Sequence, residues 1–129
     1  MVLAVDGPLG IAQLDRAADQ AGMRPRVLVE VDIGLGRCGV PPGEPVVSLA
    51  RRVADAPHLR FAGLMAWEGH TAAMPDQEAK RAAITTAVGE LTAAADRCRE
   101  AGLPVSIVSC GVTGTYQVSA FLPGVTEIQ

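Results

Sequence analysis

Three short stretches of this 129-residue chain hold residue types that do chemistry. The first is Gly34-Leu35-Gly36-Arg37-Cys38-Gly39, which matches the G-x-G-x-x-G spacing of a dinucleotide-binding turn and directly follows an apolar run. That fingerprint needs a helix opening within the glycines so that its N-terminus meets a pyrophosphate. Here Val40-Pro41-Pro42-Gly43 delays the next helix. No acidic residue ends a second strand about 20 positions on, as ribose recognition requires. The stretch reads better as a Gly-rich turn carrying one useful side chain, Arg37. Two readings of Arg37 stand: a solvated surface arginine, or a fixed donor fork for a phenolate, carboxylate or phosphate oxygen, with Glu30 or Asp32 as its pairing partner.

The second stretch is Trp67-Glu68-Gly69-His70. His70 is either an unpartnered loop histidine or a group for ring stacking and acid/base work. Glu68 and His70 alone are too few ligands for zinc, and His58, expected at the other end of the same strand, cannot join them. The third stretch is Ser109-Cys110-Gly111-Val112-Thr113-Gly114-Thr115-Tyr116. Two glycines and two threonines after an apolar run can offer backbone N–H groups and hydroxyls to a phosphate. The alternative is a plain strand-to-helix turn with threonine caps. No Lys-Ser or Lys-Thr follows, so this is not a Walker loop. Cys110 is the single nucleophile candidate; Cys38 and Cys98 read, like it, as buried small apolar residues.

The elements that must position these stretches alternate regularly. Val2 to Val5 is a short apolar run, and Asp6-Gly7-Pro8 offers a cap and helix start. Ile11, Leu14, Ala18 and Ala21 follow at helical spacing, stopped by Gly22. Arg26 to Val31 and Leu59 to Trp67 read as strands, with a helix between them buried through Val46, Leu49, Ala50 and Val53. The longest helix begins after Pro75, carries Asp76 and Glu78 at its start and Arg97 and Arg99 at its end, and stops near Gly102. Its buried stripe is Ile84, Ala87, Val88, Leu91, Ala95 and Cys98. Pro104 to Ser109 forms the fourth strand. The clear strands are nearly all apolar, the mark of parallel strands buried on both faces with helical crossovers. The class is α/β, and in such folds chemistry gathers on loops after the carboxyl ends of strands. All three stretches fall there.

Composition narrows the function further. Eleven Lys and Arg against 14 Asp and Glu give a net charge of −3, which argues against a nucleic-acid or anionic-membrane partner. Hydrophobic content is 49% and aromatic content 3%, so bulk comes from aliphatic residues and alanine, which suits helices packed closely on a sheet. Three cysteines without C-x-x-C spacing fit neither a zinc site nor a disulfide framework. There is no basic leader and no run of about 20 apolar residues. The expected location is the cytoplasm. Only one of the basic residues, Lys80, is a lysine.

Four segments taken in order carry a resemblance. These are Val29 to Val40, Gly63 to His70, Ser109 to Tyr116, and Pro123-Gly124-Val125-Thr126-Glu127-Ile128-Gln129. Together they resemble the D-threonine aldolase and D-serine dehydratase group, pyridoxal 5'-phosphate enzymes whose (β/α)8, TIM-type barrel is of the alanine racemase N-terminal kind. The resemblance implies that Arg37 approaches the phenolic oxygen of the cofactor and that His70 lies near its ring. It implies that Ser109 and the loop Gly111, Thr113, Gly114 and Thr115 hold the phosphate, and that Gln129 stands near the pyridine nitrogen. Val112 departs from the glycine expected at its position. Catalytic residues implied in this way are His70 and Arg37.

Two further departures concern the anchor and the metal. The Schiff-base lysine of the group lies on the first barrel strand, upstream of the matching segments, and Lys80, in the first turns of the long helix, is expected away from the strand ends. The divalent-metal ligands of the group lie in a C-terminal β domain. A complete barrel takes about 250 residues, so residues 1–129 are expected to be an internal portion of about four βα units, without the upstream lysine strand or the downstream β domain. The implied parent is a lyase cleaving a β-hydroxy-D-amino acid to glycine and an aldehyde, with a small D-amino acid as substrate and a homodimer as a state the group allows. A D-serine dehydratase or racemase relative is the alternative, as is a non-catalytic single-domain barrel that binds the cofactor. A third alternative, an unrelated α/β ligand-binding domain, predicts that Arg37, His70 and Thr113 do not converge at one end of the sheet.

Overall fold

A computed structural model describes all 129 residues, Met1–Gln129. Five strands, β1 (Val2–Val5), β2 (Arg26–Val31), β3 (Arg60–Ala66), β4 (Ile107–Cys110) and β5 (Glu127–Ile128), alternate with helices α1 (Pro8–Ala21), α2 (Glu44–Asp55), α3 (Gln77–Glu100) and α4 (Tyr116–Ser119). All neighbouring strands pair in parallel, in the spatial order β1-β2-β3-β4-β5. That order never reverses. A doubly wound sheet reverses at a switch point and carries helices on both faces; a sheet advancing one strand at a time, with its helices on one side, is the arrangement of a barrel sector.

The two faces of the sheet show this division. Val27, Val29, Val31, Leu64, Ala66 and Val108 pack against Val46, Leu49 and Val53 of α2 and Ile84, Val88 and Leu91 of α3 in one cluster of 25 buried residues. The other face holds only Leu28, Ala62 and Ile107, with Met65 packed against them. Each large aliphatic side chain buried in the helix-facing layer contributes about 1.5–3 kcal/mol.

Local chemistry sets the element ends. Gly22, in the left-handed region at φ 61, closes α1. Asp76 caps α3 by accepting the Ala79 N–H at 2.7 Å, and Arg97 and Arg99 occupy its last turn. The expected buried stripe of this helix is present, with Ala94 added. Asp6, in contrast, does not cap α1: Gly7 is the N-cap without a side-chain bond, and the Asp6 carboxylate accepts the Gly39 N–H at 3.3 Å. The strand β4 begins at Ile107, three residues after Pro104, and the Ser106 N–H and hydroxyl already bond the Ala62 carbonyl of β3 at 3.0 Å just before it. The two-residue β5, too short for any periodicity, adds a fifth strand to the four expected. No helix is long and apolar enough to cross a membrane.

Candidate functional site

The loops that follow β2, β3 and β4, and the residue after β5, lie at one end of the sheet because the strands are parallel. Arg37, His70 and Thr113 therefore lie at the same end, contrary to what an unrelated ligand-binding domain is expected to show. Contacts join the loops. The Arg37 guanidinium stacks 4.5 Å from the centre of the Trp67 ring. The His70 ring, on a 3-10 turn at Gly69–Thr71, packs against Gly34: a Cβ added at Gly34 would sit 3.0 Å from His70 Cε1. Gly114 lies against Ala72, immediately beyond that turn, with 3.5 Å from an added Cβ to the Ala72 Cβ. Gln129 spans from β5 to β3, donating its side-chain amide to the Ala66 carbonyl at 3.2 Å.

Arg37 pairs with neither Glu30 nor Asp32, because both carboxylates are engaged elsewhere. Glu30 accepts the Cys38 thiol at 2.9 Å, and Asp32 accepts the N–H groups of Gly34 and Gly36, each at 3.0 Å. Those amides, Gly36 first and Gly34 second, hold the Asp32 carboxyl below its usual range. Cys38 is half-buried and hydrogen-bonded instead of packed in the apolar core, and the Glu30 carboxylate pushes its thiol pKa up. Cys110 is fully buried, and burial followed by the charge of Glu68 pushes its thiol up to about 12, so it is no nucleophile at neutral pH.

Within the third stretch most donors are spent internally. Ser109 donates its hydroxyl to Glu127 at 2.9 Å, and Gly111 gives its N–H to Glu68 at 3.2 Å. The Thr115 hydroxyl accepts the Val112 N–H at 3.0 Å, and the Thr115 and Tyr116 N–H groups both turn to the Val112 carbonyl. The N–H groups of Thr113 and Gly114 take no acceptor in the chain, and both residues are exposed.

Asp6, Glu30, Asp32, Glu68 and Glu127 each already accept a hydrogen bond at this end of the sheet. The donors without a partner here are the terminal nitrogens of Arg37, the two loop amides, and Trp67 Nε1, which is buried. Such a set of donors suits a ligand rich in anionic oxygens. No cluster of three or more His, Cys, Asp or Glu is arranged for a metal.

Two residues stand where the sequence did not place them. Lys80 is near the third loop, since its ammonium donates to the Ala72 carbonyl at 2.9 Å and it lines a cleft of about 340 Å³ with Arg81, Gly114 and Gln117. The reason is topological: a helix after a parallel strand starts at that strand's carboxyl end, so the first turn of α3 abuts the loops, from the helix layer. Glu68 is fully buried and binds Gly111 and Ser119. The one sequence signal for it is a charged residue inside an otherwise apolar and glycine-rich stretch.

Comparison with known proteins matches this arrangement. The chain is 37% identical over 116 residues to 3-hydroxy-D-aspartate aldolase of Paracoccus denitrificans (strain Pd 1222), covering 90% of this chain and 30% of that protein. The crystal structure of D-threonine aldolase from Filomicrobium marinum superposes with a TM-score of 0.94 at 36% identity, over all of this chain and 35% of that one. D-threo-3-hydroxyaspartate dehydratase from Delftia sp. HT23 superposes with a TM-score of 0.87 at 28% identity, over 98% of this chain and 34% of that one. The chain thus spans about a third of the length of these relatives. The alanine racemase N-terminal domain matches residues 1–125, and the chain belongs to that family.

Proposed function

We propose that residues 1–129 are an internal portion of a pyridoxal 5'-phosphate-binding (β/α)8 barrel in an enzyme acting on D-amino acids. We further propose that the parent is a lyase cleaving a β-hydroxy-D-amino acid to glycine and an aldehyde. The observation that carries this reading is the set of unpartnered donors at one end of the sheet, the Arg37 terminal nitrogens and the exposed Thr113 and Gly114 amides, beside carboxylates that each already accept a hydrogen bond. Likeness to two aldolases supports the reaction class.

In this reading Thr113 and Gly114 donate to the phosphate, Arg37 faces the phenolic oxygen and His70 lies beside the ring. When bound, the cofactor supplies an electron sink for the bond broken at the substrate. The residues of this chain neutralise and orient it. Stacking on Trp67 fixes the Arg37 plane, and the Asp32 carboxylate holds the Gly34–Gly36 turn from which Arg37 projects. Lys80 reaches the loop from the α3 side and is not the covalent anchor; that lysine, and any divalent-metal ligands, belong to other parts of the parent. Dehydration is the second reading, favoured by the likeness to the Delftia enzyme; an assay of the parent separates the two by whether an aldehyde or a 2-oxo acid forms.

Trp67 is the single tryptophan and lies under Arg37, so its emission reports the site. Adding pyridoxal 5'-phosphate is expected to quench it saturably, with pyridoxal lacking the phosphate much weaker. Dilution should restore the emission, and borohydride should leave no cofactor on Lys80. Equal quenching by both compounds, or covalent trapping at Lys80, overturns the assignment.

A further inference from the structure

Glu68 presents a physical puzzle. Its side chain is fully buried, no cation lies within ion-pair distance, and its neighbours include the apolar Cys110. Burying a carboxylate this way is costly, and a hydrophobic residue of similar size is usually neutral or better for stability. What the carboxylate does have is two donors, one at each end of the segment that runs from the end of β4 through α4. Oε2 accepts the Gly111 N–H at 3.2 Å, and Oε1 accepts the Ser119 hydroxyl. These two residues bracket the segment that holds Thr113 and Gly114. One side chain from the end of β3 thereby fixes both ends of the turn that follows β4.

We infer that Glu68 is the positioning residue of the anion cradle, holding Gly111 and Ser119 so that the Thr113 and Gly114 amides stay free and fixed for a phosphate group. This deepens the proposed function and rests on it for the identity of the anion. The Thr115 carbonyl, 3.3 Å from the same hydroxyl, is the alternative acceptor left to Ser119 when Glu68 is removed. The cost of the arrangement is a negative charge beside an anion site, and that cost makes the role testable by sign.

Glu68→Met keeps length and removes both acceptors and the charge. Glu68→Gln removes the charge but keeps an acceptor for Gly111 and a polar partner for Ser119. If Glu68 acted by charge alone, both variants would bind inorganic phosphate and pyridoxal phosphate more tightly. Positioning requires opposite results: Glu68→Met should weaken binding roughly tenfold, the loss of about one to two net hydrogen bonds, and Glu68→Gln should bind as well as wild type or better. Chemical shifts of the Thr113 and Gly114 amides in the 15N-labelled full chain read the titration. Amide exchange, measured without ligand, gives the independent readout: the Gly111, Thr115 and Tyr116 amides should exchange at least several-fold faster in Glu68→Met and in Ser119→Ala. Ser119→Ala removes one tie and no charge, and decides the matter if Glu68→Met does not fold. Equal binding by the Met and Gln variants, or unchanged exchange in Ser119→Ala, overturns the inference. Failure of the wild-type chain to bind either phosphate compound overturns the proposed function, while the exchange measurement still judges Glu68.

Discussion

Replacing Gly63 by alanine should break the junction between β3 and β4 on which the site depends. Gly63 pairs with Ile107 and has φ +148, and a Cβ built there lies 1.9 Å from the Ile107 carbonyl oxygen and 2.8 Å from its carbon. The shortest ordinary carbon–oxygen contact is about 3.3 Å, so the strands must separate by roughly 1.4 Å. Neither neighbouring atom belongs to a flexible side chain that could move instead. The separation disrupts a ladder that runs only through Gly63–Ile107, Leu64–Val108 and Met65–Ser109. The backbone conformation adds about 1–3 kcal/mol for a residue with a Cβ, and together with weakened ladder bonds at about 1 kcal/mol each the loss comes to about 3–5 kcal/mol. Domains of this size are stable by about 5–15 kcal/mol, so the variant should be marginal. Urea unfolding followed by Trp67 emission and far-ultraviolet circular dichroism measures the loss. Gly89→Ala is the matched control: Gly89 is exposed within α3 with nothing within 4 Å of an added Cβ, and the change should stabilise by about 0.5–1 kcal/mol. A Gly63→Ala protein within about 1 kcal/mol of wild type would refute the close approach and the reasoning built on it.

Two more expectations concern the other loops. Since the folded-state pKa of Asp32 is lowered by the Gly36 and Gly34 amides, its contribution is complete above the unfolded value near 3.9 and is lost as pH falls through the lower folded value. The Gly34 and Gly36 amide shifts should therefore titrate with a midpoint below about 3.9; a midpoint at or above it refutes the turn. With iodoacetamide at pH 8, Cys38 alone should be alkylated in the folded chain, more slowly than a free thiol, and Glu30→Gln should speed it. Alkylation of buried Cys110 at the Cys38 rate would contradict the packing of β4.

Much of the architecture was legible because it rests on local rules. Apolar strands of β2 and β3, the Asp76 cap and the arginines ending α3, and the glycine stop of α1 are all set by residues near in sequence. The placement of the three stretches at one end follows from parallel strands alone. Misplacements arose where partners are distant. Asp6 looked like a helix cap and is used by Gly39, 33 residues on. Lys80 looked remote from the loops because helical position says nothing about which end of the sheet a helix starts from unless strand direction is followed through. The two paired positions of β5 leave no periodic trace in sequence.

The amino-acid sequence by itself determined the class, the order of elements and the loops in which donors for an anion would be found, because spacing and residue type act locally and the parallel crossover rule carries them to one end. The tertiary structure decided which donors are left. It engaged Glu30 with Cys38 and Asp32 with its own turn, so Arg37 lies on Trp67 and not on a carboxylate. It spent the Ser109, Gly111 and Thr115 donors inside the fold and left Thr113 and Gly114 free. It also brought Glu68 within hydrogen-bond reach of Gly111 and Ser119, 43 and 51 residues away. Hydrogen bonds across such separations depend on how β3 and β4 pack, and no spacing along the chain encodes that distance.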